Sequence, residues 1–150
     1  MRDDFSRKLD IVDAGIARFM NKWGIIALRI SLAIIFIWFG ILKPMGISPA
    51  SELVKATVSW MPVFNPDQWL SLIGWWEVAI GVSFLHHTTV RIAIALLSLQ
   101  MIGTFMPLVM LPEVTFQEIP YAPTIEGQYI IKNLLIISAA LVIGGTVRQK

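Results

Sequence analysis

The chain alternates long apolar segments with short polar connections, and this pattern predicts membrane-spanning helices. Four of the apolar segments approach or exceed the ~20 residues that a helix needs to cross the hydrocarbon layer of a bilayer. The predicted spans cover residues 24–43, 66–85, 90–111 and 125–147. We therefore predict an all-α integral membrane protein, built as a four-transmembrane-helix bundle.

Polar residues directly before two of these segments mark where the helices begin. Asn65 is suited to cap the second span, with Pro66 at its first position and Gln68 able to reach back to the cap. Thr124 is predicted to cap the fourth span in the same way. Between the first two spans, Ser48 is predicted to cap a short helix that ends near Trp60.

Residues 1–23 predict a separate amphipathic helix lying in the membrane interface. Its charged residues occupy other faces than its apolar ones. The apolar residues that recur at helical spacing are Phe5, Leu9, Val12, Ile16 and Met20. The predicted organisation is thus an interfacial helix, 1–23, followed by a four-helix transmembrane domain, 24–150.

The composition agrees with a membrane protein and narrows its chemistry. Hydrophobic residues make up 56% of the chain and charged residues 15%, against about 25% charged in soluble domains. With no cysteine, thiolate catalysis and thiolate metal sites are excluded. His86 and His87 are adjacent in a predicted turn and project differently, so we predict no metal or haem. The small net charge of +2 without a basic run argues against nucleic acid and leaves the lipid bilayer as the expected surroundings.

Lysine and arginine are distributed unequally between the two sides of the predicted bundle. Cytoplasmic segments of membrane proteins carry an excess of these residues. One side would carry nine of them, namely Arg2, Arg7, Lys8, Arg18, Lys22, Arg29, Arg91, Arg148 and Lys150. The other side would carry three, namely Lys43, Lys55 and Lys132. We therefore predict a multi-pass membrane protein with both termini in the cytoplasm.

Glu77 lies in the middle of an apolar segment, where a carboxylate is costly unless another group in the protein pairs with it. Gln100 is predicted at a similar depth, near the midplane. Lys132 and Lys43 lie close to the outer boundary, and either one can lean inward to Glu77 or extend outward to water. Arg29 would reach up from the cytoplasmic third of its helix.

Two interpretations of these polar residues remain open. In the first, Glu77 and one cation form a buried ion pair that fixes the register of the helices. In the second, they line a polar pocket that opens outward and receives a quinone headgroup or a proton. Trp76 either covers a flat ring in that pocket or faces lipid. The candidate binding residues are Glu77, Lys132, Lys43, Arg29, Gln100 and Trp76.

Four segments of the chain resemble, in order, the span signatures of the YkgB-like family of inner-membrane proteins, which is related to DoxX and includes the reactive chlorine resistance protein C. They are residues 28–43 (LRISLAIIFIWFGILK), 77–81 (EVAIG), 107–109 with 115–116 (PLV and TF) and 126–135 (EGQYIIKNLL). The resemblance covers about residues 24–147. It implies a four-helix membrane fold and a link to oxidative or reactive-chlorine stress.

The resemblance implies function only in outline. We expect an accessory protein that binds a quinone or a redox protein partner, because distant DoxX relatives include a subunit of thiosulfate:quinone oxidoreductase. The first alternative is a membrane subunit of a quinone-linked oxidoreductase, with Glu77 as a proton acceptor. The second is a small transporter or proton pathway, which would require oligomers or a hidden cavity. No catalytic residue is predicted, and we do not expect the chain to be an enzyme on its own.

Overall fold

The computed structural model describes the backbone of residues 2–147 and the side chains of residues 9–147. The side chains of Phe5, from the predicted apolar face, and of five residues in the orientation count therefore lie outside the described part; these five are Arg2, Arg7, Lys8, Arg148 and Lys150. About 80% of the chain is helical. The elements, in chain order, are α1 (Arg2–Leu42), α2 (Ser51–Val58), α3 (Pro66–Leu85), a 3₁₀ turn (His87–Thr89), α4 (Val90–Phe105), α5 (Pro107–Met110), α6 (Pro112–Thr115), β1 (Phe116–Glu118), β2 (Ala122–Pro123) and α7 (Ile125–Thr146).

Three helical segments in the described part of the chain are long and apolar enough to cross a membrane. They are Leu9–Leu42, His87–Met110 and Ile125–Thr146. At most 22% of the residues in their most apolar windows are buried inside the protein. Since large apolar side chains cover most of their outer surface, these helices suit a lipid environment better than water. The fold thus agrees with a helical membrane protein.

The helix α3 is 20 residues long but is not among these three segments. Glu77 and the polar first turn, which contains Asp67 and Gln68, lower its mean hydropathy. Three of the four predicted spans therefore coincide with helices that are long and apolar enough to cross a membrane, and the four-span bundle stays a prediction.

The predicted break between an interfacial helix and the first span is not found. The helix α1 runs without interruption for 41 residues, from Arg2 to Leu42. At 1.5 Å per residue it is about 62 Å long, roughly twice the hydrocarbon thickness of a bilayer. The sequence contains no proline before Pro44, so nothing in the segment forces a sharp kink.

The core lies where α1, α3 and α4 meet, with α7 packed against them. Its buried apolar residues are Leu32, Ala33, Phe36, Ile80, Phe84, Val90, Ala93, Leu97, Met101, Ala140 and Ile143. Two glycines of α3 let α1 approach closely, as small residues do in membrane helix pairs. A Cβ atom on Gly74 would lie 2.7 Å from the carbonyl oxygen of Gly40, and one on Gly81 would lie 2.8 Å from that of Ala33. Backbone therefore packs directly on backbone along this antiparallel pair.

The predicted helix starts of α3 and α7 are confirmed. Asn65 accepts a hydrogen bond from the backbone N–H of Gln68 (2.9 Å), and the Gln68 side chain accepts from the N–H of Asn65 (3.1 Å). The Thr124 hydroxyl accepts from the N–H of Gly127 (3.2 Å). The start predicted for α2 was wrong: Ser48 accepts from the N–H of Ala50 in the preceding turn (3.3 Å), and the helix begins only at Ser51 and ends at Val58.

The capping box of α3 gives a first testable prediction. Replacing Asn65 by alanine is expected to lower the free energy of unfolding by about 1 kcal/mol, since an N–H at the helix start loses its acceptor. Asn65→Gly is the matched control and should cost only a few tenths of a kcal/mol, roughly, because glycine is tolerated at this position. Both values can be measured by unfolding the purified protein in mixed detergent. Equal losses in the two variants would contradict the assignment of the cap.

The third predicted span is interrupted near its C-terminal end. The helix α4 ends at Phe105, and α5 begins at Pro107, whose nitrogen has no hydrogen to donate. The chain then passes through α6 and the short antiparallel pair of β1 and β2 before α7 begins. Thr115, which is fully buried, accepts a hydrogen bond from the N–H of Thr124 through its carbonyl oxygen (3.0 Å) and so ties this connection to the start of α7.

Candidate functional site

The carboxylate of Glu77 is held between two other helices. Its Oε2 atom forms an ion pair with Nζ of Lys43, the residue directly after α1, and its Oε1 atom accepts a hydrogen bond from Nε2 of Gln100 on α4 (3.1 Å). The side chains of Lys43 and Glu77 are only 7% and 13% exposed. The close approach of Gly40 and Gly74 brings α1 near enough for this pairing. Three of the six candidate residues therefore meet at one point.

Lys132 is not part of this cluster. Its side chain is exposed on α7, and its Nζ atom lies 5.4 Å from the centre of the Tyr129 ring. This geometry is a cation–π contact within one helix. Of the two lysines that the sequence offered as partners of Glu77, the structure pairs Lys43 and leaves Lys132 at the surface.

Arg29 also acts elsewhere, at the opposite end of the α1–α3 pair. Its guanidinium donates to the carbonyl oxygen of Phe84 through Nε (3.2 Å) and Nη2 (3.1 Å), and to that of Leu85 through Nη2 (3.1 Å). The last carbonyls of a helix have no partner within it and carry a partial negative charge. Arg29 therefore caps the C-terminus of α3 and does not reach Glu77.

Trp76 joins α3 to α4 beside the cluster. Its side chain is half-buried, and its indole N–H donates to the carbonyl oxygen of Leu96 (3.3 Å). The neighbouring Trp75 is 56% exposed. The indole of Trp76 is thus fixed in position next to Glu77, but it does not line the cavity described next.

An open cavity of about 400 Å³ lies against Lys43 at the end of the bundle that carries α2. Its walls come from the turn after α1, from α2 and from the first turns of α3. The lining residues are Lys43, Pro44, Gly46, Ser48, Pro49, Ser51, Glu52, Lys55, Asp67, Leu70 and Ser71. Cavities that hold small molecules typically measure about 300–1,000 Å³, so this one is large enough for a headgroup.

The cavity was not predicted from the sequence, because α2, which forms one of its walls, was expected only as a short helix between two spans. One signal was present: Lys55 of α2 and Asp67 of α3 carry opposite charges in the same short connection between spans. In the structure their Nζ and Oδ1 atoms lie 2.6 Å apart and join the two walls.

The hydrogen bond to Asp67 raises the pKa of Lys55 above its ordinary value of 10.5, and the negative charges of Asp67 and Glu52 act in the same direction. A cation whose pKa is raised by folding stabilises the fold fully below its unfolded pKa. That contribution is lost as the pH rises through the folded value. The lysine of this bridge between α2 and α3 is therefore charged at neutral pH, and its contribution is lost in strongly alkaline solution.

Lys43 is the member of the cluster that also lines the cavity. A lysine ammonium carries three N–H donors, and Glu77 occupies one of those of Lys43. The remaining donors suit a carbonyl oxygen or an anionic group in the cavity. In the part of the chain that the structure describes, no three His, Asp or Glu side chains come together to hold a metal ion.

Comparison with known proteins adds no relative. No protein-family model matches the chain, and no curated protein or solved structure does either. The resemblance to the YkgB-like family therefore stays a prediction.

Proposed function

We propose that the chain is a four-span protein of the bacterial inner membrane that binds a quinone headgroup in the cavity beside Lys43. In this proposal α3 is the fourth span, both termini face the cytoplasm and the cavity opens to the outer side. The protein is accessory to a redox partner in the oxidative or reactive-chlorine stress response and is not an enzyme on its own. The stress role rests on the family resemblance alone.

The position of α3 between α1 and α4 supports its role as a span. The charge of Glu77, which lowers the hydropathy of α3, is answered inside the protein by Lys43 and Gln100. A carboxylate paired in this way no longer has to be exposed to lipid, and such groups in membrane proteins face the interior of the bundle. The helix can therefore cross the membrane despite its polar residue.

The observation that carries the binding proposal is that Lys43 is buried, paired with Glu77 and also lines the cavity. A quinone presents two carbonyl oxygens on a flat, mostly apolar ring. The free N–H donors of Lys43 would hold one carbonyl oxygen, while Pro44, Pro49 and Leu70 supply apolar wall beside it. Sites for small ligands combine an apolar lining with a few polar groups that fix orientation.

Two other functions use the same residues. In a subunit of a quinone-linked oxidoreductase, Glu77 would exchange a proton with the headgroup through Lys43, and a partner protein would supply the electrons. In a small transporter or proton pathway, Glu77 would carry the transported charge. A flux into liposomes that Glu77→Gln leaves unchanged would count against transport through this site.

The test is mass spectrometry of small molecules extracted from mildly purified protein. We expect the wild-type protein to retain a quinone and Glu77→Gln to retain about tenfold less, because the charged partner that positions Lys43 is lost. The matched control is Lys132→Gln, which removes a lysine outside the cavity and should retain as much quinone as the wild type. Thermal unfolding of each variant shows whether the bundle remains folded.

Two results would contradict the proposal. One is a wild-type protein that carries no quinone even when purified from quinone-rich membranes. The other is equal retention by the wild-type protein and a folded Glu77→Gln variant. In either case the ion pair is a structural element, and the search for a function moves to protein partners at the outer loops.

A further inference from the structure

The N-terminal half of α1 presents a stripe of exposed apolar side chains that the cavity and the bundle do not use. Their exposed fractions range from 43% to 66%. The stripe consists of Leu9, Val12, Ile16, Phe19, Trp23 and Ile26. The charged residues of the same segment, such as Asp10 and Arg18, lie between these positions. The same three- and four-residue steps continue through Ile30 to Ala33 and Gly40, which pack on α3, so the stripe extends that packing face beyond the end of α3.

The spacing of the stripe fits a heptad repeat. Its residues follow one another at steps of three, four, three, four and three, and Ile30 (47% exposed) continues the pattern to three heptads. A repeat of 3.5 residues stays on one seam when two helices supercoil. Amphipathic helices on a membrane surface use the same steps, and Ile11 (64% exposed) lies outside the stripe. The spacing is therefore compatible with a coiled coil.

The continuity of α1 points the same way. Because the helix is unbroken from Arg2 to Leu42, its N-terminal half continues along the direction of the span and cannot also lie flat in the interface. An uncapped periodic helix of this length is typical of coiled coils and membrane spans. Half of α1 would then stand in water with its large apolar residues exposed, unless a partner covers them.

We propose that this stripe is the seam of a parallel coiled coil between two copies of this chain. Two copies that cross the membrane in the same direction bring their α1 helices together in parallel, so each seam residue meets its own counterpart. The dimer would contain twelve seam side chains, six from each copy. Each would need to bury about 80 Å² to reach the ~1,000 Å² that marks a specific interface. Side chains of this size that are half exposed can supply that area.

The residues that flank the seam permit this arrangement. In a parallel pair, the residue just before Ile16 or Trp23 faces the residue five places later in the partner helix. Gly15 would face Met20, and Lys22 would face Ala27, so no like charges oppose each other within the described part of this segment. Met20, which is 64% exposed, would add apolar area at the edge of the seam.

The chain contains no cysteine, so single introduced cysteines report directly on the seam. Ile16→Cys and Phe19→Cys are expected to form covalent dimers on mild oxidation in native membranes. Ala17→Cys and Asn21→Cys, which lie outside the seam on the same helix, should give about tenfold less, because disulfides require Cα atoms within about 7 Å. The double substitution Val12→Asp and Ile16→Asp should convert the dimer to a monomer in size analysis and leave quinone retention unchanged.

Three results would overturn the proposal. Equal cross-linking at seam and off-seam positions would show that no specific face of α1 mediates the contact. Cross-links only between different positions, such as a cysteine at 12 with one at 23, would show antiparallel contact. Quenching of labels at 12, 16 and 19 by nitroxide lipids, without cross-linking, would place the stripe on the membrane. The dimer does not depend on the cavity, so either proposal can fail while the other holds.

Discussion

Replacing Lys43 by methionine is expected to lower the free energy of unfolding by about 3–5 kcal/mol, because the change leaves Glu77 without its cation. The two side chains are 7% and 13% exposed, so water cannot fully take over the role of the lysine. Methionine keeps the length and the apolar stem of lysine, so the loss reports the charge rather than the volume. The difference is measured by unfolding the protein in mixed detergent while the helical signal is monitored by circular dichroism.

A second substitution separates the ion pair from its surroundings. Adding Glu77→Gln to Lys43→Met removes the stranded charge and retains an oxygen acceptor for Gln100. The double variant should therefore recover at least half of the lost stability, as a coupled pair requires. Lys132→Met, at an exposed position, is the control and should change stability by no more than about 0.5 kcal/mol. If Lys43→Met costs no more than this control, the ion pair does not stabilise the fold.

The contact between α1 and α3 is expected to tolerate no side chain at Gly74. In Gly74→Ala, the new methyl group would lie 2.6 Å from Cδ of Pro44 and 2.7 Å from the carbonyl oxygen of Gly40. Since one of these neighbours is backbone, the helices must separate, at a cost of about 2–3 kcal/mol and with a weakened contact between Lys43 and Glu77. The readouts are the unfolding free energy and the retention of quinone.

Gly103 of α4 is the matched control for this substitution. A Cβ atom there would have no other atom within 4 Å. Gly103→Ala should therefore leave stability unchanged or raise it by up to about 1 kcal/mol, because alanine favours the helix. Equal effects of the two substitutions would mean that the α1–α3 contact is looser than the structure indicates.

Local chemistry in the sequence predicted the helices well wherever the signal lay within a few residues. Asn65 with Gln68, and Thr124, marked the starts of α3 and α7 because capping depends on neighbours three residues apart. The break predicted after residue 23 was not found, because a change in composition from amphipathic to apolar does not require a change in backbone direction. The helix α1 continues through that boundary, including Gly24.

The polar cluster was predicted only in part, because three of the six candidates, Lys132, Arg29 and Trp76, lie outside it. A carboxylate in the middle of an apolar segment requires a partner, and this argument identified Glu77, Lys43 and Gln100. It could not choose between Lys43 and Lys132, since both have the reach and the choice depends on which helices lie side by side. The cavity was missed because its walls come from α2 and α3, whose contact is tertiary and leaves little trace in the periodicity of either helix.

Arg29 and Lys43 fasten α1 to α3 at two depths, about 21 Å apart along α1 at 1.5 Å per residue. Sliding either helix by one turn would break both attachments, so α1 and α3 are held in a fixed register. The α2 wall is attached differently, through a bridge between Lys55 and Asp67 in which Asp67 is 76% exposed. Exposed pairs of this kind are weak and are screened by salt. Higher ionic strength is therefore expected to loosen the ionic link along one wall of the cavity, while the buried residues Thr57 and Val58 keep α2 packed on the protein.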